Sequence, residues 1–178
     1  MVSAGTDYAL VVLAAEHSNA EAFRFATEAA LCTRCGTVVV VLGENASEIR
    51  PALDGIAIRD KLLVFTENPR WAEGPGTSIQ AGLQFLNQVD PAGVIFVAPD
   101  QSFGSAHFLD SLLLDHERTG RAIVAASCAE TTGVPAFFSR PYMERLRAIS
   151  PGEGLQSFLA TNRDVTLRVP CPEAQGAG

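Results

Sequence analysis

The chain has 178 residues, 47% of them hydrophobic, with a net charge of −7; that is enough apolar mass for one buried core, and no linker-like change of composition divides it. The negative charge repels polyanions at long range, which argues against nucleic acid and anionic membrane surfaces as partners and leaves small ligands open. Four cysteines, two of them isolated at Cys128 and Cys171, make no disulfide framework, and the first fifteen residues hold no Lys or Arg, so the reading is a cytoplasmic chain without a secretory signal.

In chain order, Ala9–Ala15 is a continuous apolar run, the length of a central strand covered on both faces. Polar Glu16, His17, Ser18 and Asn19 follow, and then Ala20–Leu31 places apolar residues at helical spacing, with Gly36 as its stop. A strand, a polar loop and a helix start together form the ligand-binding corner of a doubly wound sheet. Thr37–Leu42 is a second buried strand, Ala46–Leu53 a short amphipathic helix with Ile49 and Leu53 inward, and Leu62–Phe65 a third strand. A loop rich in turn formers, 68–78, leads to a helix over Thr77–Leu86. Gly93–Ala98 is a fourth strand, Ser105–Thr119 a helix with Phe108, Leu109, Leu112 and Leu113 inward, and Ala122–Ser127 and Gly133–Phe138 are strands. Helices over Pro141–Ile149 and Glu153–Ala160 and an edge strand at Val165–Val169 complete the chain. This alternation predicts an α/β fold, a three-layer, Rossmann-like, mostly parallel sheet with helices on both faces. One domain spans 1–170, and the small and polar residues of 171–178 predict a disordered tail.

Several residues invite chemical readings. Asp100 stands at the tip of the fourth strand, where a carboxylate either holds a hard cation such as magnesium or caps the next turn; position alone leaves both open. Gly74, Gly76 and the following helix start are placed to approach a ligand closely, although the third glycine of a dinucleotide fingerprint is absent. Trp71 has the ring to stack on a base, but a lone loop tryptophan reads first as a packed anchor. Cys32 and Cys35 fall at a helix end, where the dipole disfavours thiolate, and are accounted for by packing rather than by metal or redox chemistry. His107 and His116 read as solvated or helix-packing side chains, and no nucleophile elbow accompanies His17 and Ser18. Twelve arginines against one lysine favour rigid ion pairs and say nothing of substrate.

Taken in order, these segments resemble the MobA-like NTP transferases, the group of molybdenum-cofactor guanylyltransferases and cytidylyltransferases. The resemblance is carried by Leu13-Ala14-Ala15 with Ser18, Val38–Gly43, Asn68-Pro69 with Trp71, and Gly74 leading to Ser78-Ile79-Gln80-Ala81-Gly82-Leu83. It continues through Pro99-Asp100-Gln101 and Gly133–Ser139. It implies a nucleotide-binding set of Ala14, Ala15, Glu16, Ser18, Arg24, Ser78 and Gly82, magnesium on Asp100 where nucleotide binding is retained, and an acceptor side at Gly133 and Pro135.

The departures concern charge. The family's opening loop carries two glycines, an arginine and a lysine where this chain has Glu16, Ala22, Ala20 and Phe25. A carboxylate about 5 Å from one phosphate charge costs roughly 3 kcal/mol at an effective dielectric of about 20. Two lost charge-assisted contacts remove about 1.5–3 kcal/mol each. The total, roughly 6–9 kcal/mol, matches the whole binding free energy of a micromolar ligand, about 8 kcal/mol. The expectation is a nucleotidyltransferase fold with an eroded triphosphate loop, lacking or much weakened in NTP transfer, that serves as a binding or accessory protein for a nucleotide or other small molecule. Two alternatives stand beside it: an active magnesium-dependent CTP or GTP transferase of the molybdenum-cofactor type, with Arg24 on phosphate, and a dimeric interaction domain with no ligand. Oligomeric state is open.

Overall fold

The computed structural model describes residues 7–13, 19–58, 60–99, 105–128 and 131–172. Its strands are β1 (Tyr8–Val12), β2 (Thr37–Leu42), β3 (Leu62–Glu67), β4 (Gly93–Val97), β5 (Ile123–Cys128), β6 (Thr131–Ser139) and β7 (Thr166–Pro170). The helices are α1 (Ala20–Leu31), α2 (Ala46–Ala52), α3 (Pro75–Leu86), α4 (Ala106–Thr119), α5 (Arg140–Leu146) and α6 (Leu155–Thr161). The strands form one sheet in the order β3-β2-β1-β4-β6-β5-β7, in which β6 alone runs antiparallel to its neighbours.

The layering follows from where apolar residues fall. Every residue of β1, β2 and β4 is buried, as continuous apolar runs require when helices cover both faces. Leu10, Val12, Val38 and Val40 face one core with α1, α2 and α4, while Ala9, Val11, Val39 and Val41 face a second core with α3, α5 and α6. Edge strand β3 is only half covered. Tyr8 and Phe137 meet edge to face at 5.6 Å in the first core, and Phe96 and Phe138 do so at 5.9 Å in the second.

Local chemistry sets the helix starts. Asn19 is extended and its Oδ1 accepts from the Ala22 N–H at 2.7 Å, and Ser105 Oγ accepts from the Phe108 N–H at 3.2 Å. Helix α4 ends at Gly120 in the left-handed region, φ 72°. Helix α1 departs from expectation at its end: the cap is Cys32, whose N–H bonds the Ala29 carbonyl, and Gly36 lies beyond it, bonding the Tyr8 carbonyl as β2 begins. The helices expected at 141–149 and 153–160 are the shorter α5 and α6, because Ser150 to Gly154 forms a docked turn between them.

Candidate functional site

Strands β1 to β4 are mutually parallel, so their carboxyl ends share one edge of the sheet. The Leu13 N–H donates to the Val97 carbonyl at 2.9 Å, so the chain leaves β1 and β4 side by side. From there it turns in opposite directions, towards β2 from one strand and towards β5 and β6 from the other; such a divergence opens a crevice at the strand tips. Ala14, Ala15, Glu16, Ser18 and Asp100, which the sequence assigns to these segments, lie outside the described residues.

Arg24 is described and is committed elsewhere. Its Nη1 donates to the carbonyls of Ala52 at 2.8 Å and Asp54 at 3.0 Å, and its Nε pairs with Glu28 at 2.9 Å. The guanidinium thus spans from α1 to the carbonyl-rich end of α2, where a cation is favoured. Phe25, in the place of the family's lysine, is 60% exposed.

Ser78 sits in the first half of α3 and is buried. Its hydroxyl accepts from Asn68 Nδ2 at 2.9 Å, and the same amide donates to Thr77 Oγ1 at 2.8 Å. Thr77 contacts the Gly74 and Arg70 carbonyls, and Asn68 Oδ1 accepts from the Arg70 N–H at 3.0 Å. Asn68 is therefore the buried hub that shapes the 68–78 loop, a role suggested in sequence only by its place after a strand tip. Gly74 and Gly76 let this loop pack on the turn before α6: a Cβ on Gly74 would stand 2.2 Å from the Pro151 carbonyl oxygen, and one on Gly76 2.1 Å from that of Ser150. Gly82 likewise packs α3 on the sheet, since a Cβ there would meet Val11 at 2.8 Å and Val41 at 3.4 Å.

At the tips of β2 and β3 the surface opens into a groove of about 840 Å³. Gly43, Asn68, Trp71 and, from α2, Ser47 and Arg50 line it. Trp71 is 42% exposed, so it is not the packed anchor its loop position suggested; the short 3₁₀ turn Trp71–Glu73 lifts it beside the groove. Arg50 pairs with Glu67 at 3.3 Å, and Glu44 and Asp54 add two further carboxylates to the lining. One cation against three anions makes this groove a poor host for a polyphosphate and a good one for a planar or cationic group.

Gly133 and Pro135 lie on β6. Phe96 pairs with Ala136 and Ala126 with Gly133, so this segment continues the same sheet edge one strand beyond β4. The Val134-Pro135 peptide is cis and Pro135 is buried. His116 packs on the Phe137 ring at 4.6 Å and its Nδ1 meets the Arg121 carbonyl at 2.6 Å, while His107 is exposed. Cys32 is exposed and Cys35 buried, and burial pushes the Cys35 thiol up to about 12. Cys171 is disulfide-bonded, a pairing that the spacing of four cysteines did not announce. Among the described residues no three His, Cys, Asp or Glu side chains converge on a point that fits a metal ion.

The MobA-like NTP transferase domain model matches residues 9–166. The chain belongs to that family. A comparison with curated proteins finds no match. Among solved structures, this MobA-like domain is similar to Rv0371c of Mycobacterium tuberculosis H37Rv in complex with manganese: TM-score 0.66, 20% identity, 93% of this chain and 88% of that one covered. It is similar to the homologue of that protein from Mycobacterium sp. strain JC1, with TM-score 0.67, 19% identity and coverages of 92% and 85%. The 4-diphosphocytidyl-2C-methyl-D-erythritol synthase of Anaerococcus prevotii DSM 20548 shares the fold at TM-score 0.69 and 11% identity, with coverages of 95% and 88%. At these identities the structures establish the nucleotidyltransferase fold of the MobA-like domain. The manganese belongs to the protein that carries it.

Proposed function

We propose that this MobA-like domain is a binding or accessory protein in which nucleotidyl transfer is lost or much weakened, acting on a small-molecule ligand. The observation that carries the reading is the engagement of Arg24. In the helix that follows the first strand, Ala20, Ala22 and Phe25 replace the family's arginine, glycine and lysine, and Arg24 spends its donors on α2 and Glu28. A triphosphate at that corner meets an exposed phenyl ring where the family presents an ammonium. The groove beside it adds a net negative lining. Both features favour a ligand without a polyphosphate. The proposed link to a molybdenum-enzyme system rests on fold-level analogy alone.

Titration calorimetry with Mg-CTP, Mg-GTP and Mg-ATP tests the reading. No heat of binding at micromolar nucleotide is expected, and clear micromolar binding of any of the three overturns it. The second reading, an active magnesium-dependent CTP or GTP transferase, draws support from Ser78, which keeps the family's residue type in a buried, fixed setting; it would place the metal on Asp100. No helix among the described residues is long and apolar enough to cross a membrane, in keeping with a ligand met in solution.

A further inference from the structure

Strand β3 is the outer strand of the sheet beside β2. Its even-numbered residues face inward along the hydrogen-bonding direction: the Leu62 N–H donates to the Gly36 carbonyl at 3.0 Å and the Asn68 N–H to the Leu42 carbonyl at 2.8 Å. Backbone groups alternate sides along a strand, so the N–H and C=O groups of Lys61, Leu63, Phe65 and Glu67 point away from β2. An open edge of this kind is normally blunted by a central charge, a proline or a bulge. Between Lys61 and Glu67 the chain reads Leu-Leu-Val-Phe-Thr and has none of these. Leu62 is 48% exposed and Ile58, just before the strand, 44%.

We propose that two copies of this chain join antiparallel through β3, with the two-fold axis at Val64. This register places Leu63 opposite the partner's Phe65 and Lys61 opposite the partner's Glu67, so all four outward residues form hydrogen-bonded pairs. Val64 then faces its own copy in the closer, non-hydrogen-bonded pair. Charge selects both orientation and register. Lys61 and Glu67 bracket the strand with opposite signs, so an antiparallel pairing centred between them matches cation to anion at both ends. Sliding by two residues one way sets Lys61 against the partner's Phe65, and the other way sets Glu67 against the partner's Leu63, so within the strand Lys61 and Glu67 meet each other only in the register centred at Val64. The Lys61 ammonium already donates to the Thr33 and Cys35 carbonyls, which leaves its third N–H for a carboxylate. Glu67 is exposed and only loosely held by Arg50 at 3.3 Å.

Light scattering on the full chain over micromolar to millimolar protein tests the pairing. The mass should rise from 18.8 kDa towards twice that value, while exchange of the Leu63 and Phe65 amides slows by roughly tenfold or more. Val64→Glu and Val64→Lys, each checked for an unchanged circular dichroism spectrum, should each be monomeric, and mixing them should recover the dimer mass. Should either variant fail to fold, amide exchange of the wild type still decides. A wild-type mass fixed at the monomer value, a dimer whose Leu63 and Phe65 amides exchange freely, or folded variants that do not pair on mixing would each overturn the proposal.

Discussion

Asn68 and Ser78, ten residues apart in the chain, share a buried hydrogen bond of 2.9 Å, and the same amide holds Thr77 at 2.8 Å. Asn68 is 4% exposed, so water cannot take over its bonds. Asn68→Ala should cost about 1–3 kcal/mol in urea unfolding, the desolvation penalty of buried partners left unmatched. It should also free the 68–78 loop, visible as a changed emission of Trp71. An unchanged midpoint and spectrum would remove Asn68 as the hub.

Gly76 lies where a side chain cannot be added without moving backbone, since its Cβ would stand 2.1 Å from the Ser150 carbonyl oxygen. Gly76→Ala should destabilise by roughly 1–3 kcal/mol, as overpacking does. Gly152→Ala, where nothing lies within 4 Å, should stay within about 0.5 kcal/mol of wild type. Equal effects at the two positions would mean that the docked turn has no structural weight.

Arg34 and Glu117 form a two-bond pair at 2.7 and 2.9 Å, and the Arg34 hydrogen bond holds the Glu117 carboxyl below its ordinary range. A depressed carboxylate binds fewer protons in the folded state, so its stabilisation is complete above the unfolded value of about 4.3 and is lost as pH falls through the folded one. Both side chains are partly exposed, so the pair should contribute no more than about 0.5–1 kcal/mol. Glu117→Gln should lower stability by that amount at neutral pH and converge with wild type in acid. Urea midpoints across pH 2 to pH 7 read the difference, and a gap that widens on acidification would reverse the assignment.

Burial raises the Cys35 thiol to about 12, while Cys32 is exposed. Iodoacetamide at mildly alkaline pH should label Cys32 in the native protein and reach Cys35 only in denaturant, because the thiolate is the reactive form. Peptide mass mapping distinguishes the two sites, and rapid native labelling of Cys35 would contradict its burial.

Trp71 is the chain's single tryptophan and lines the groove at 42% exposure. Its fluorescence should be readily quenched by acrylamide and protected by a planar organic cation that enters the groove. Arg50→Ala, which frees Glu67 from its pair, should strengthen that protection, whereas Glu44→Gln should weaken it. Insensitivity to both changes would place the cation elsewhere.

The chain's layers were legible because a buried parallel strand leaves an unmistakable run: β1, β2 and β4 were expected within a few residues of their observed bounds, and α1, α2 and α4 were marked by apolar spacing. The family could be recognised for the same reason, through ordered segments at strand ends and helix starts. The ends of α5 and α6 were less legible, since a helix stop set by a tertiary dock has no local residue to announce it. Gly74, Gly76 and Gly82 show the limit most directly. A glycine announces close approach, and only the fold says to what: here the Ser150–Pro151 backbone and the Val11 and Val41 side chains. Trp71 was misread by the same ignorance of its neighbours.

By itself the sequence determined the sheet, the assignment to a nucleotidyltransferase family and the loss of cations from the opening helix, because each is a matter of residue type at a position along one chain. Tertiary structure decided where Arg24 spends its hydrogen bonds, that Asn68 and Ser78 meet, that Trp71 stands at an acidic groove, and that β3 is left with outward-facing amides. Those depend on distances between residues far apart in the chain, and on which polar groups burial leaves with a partner.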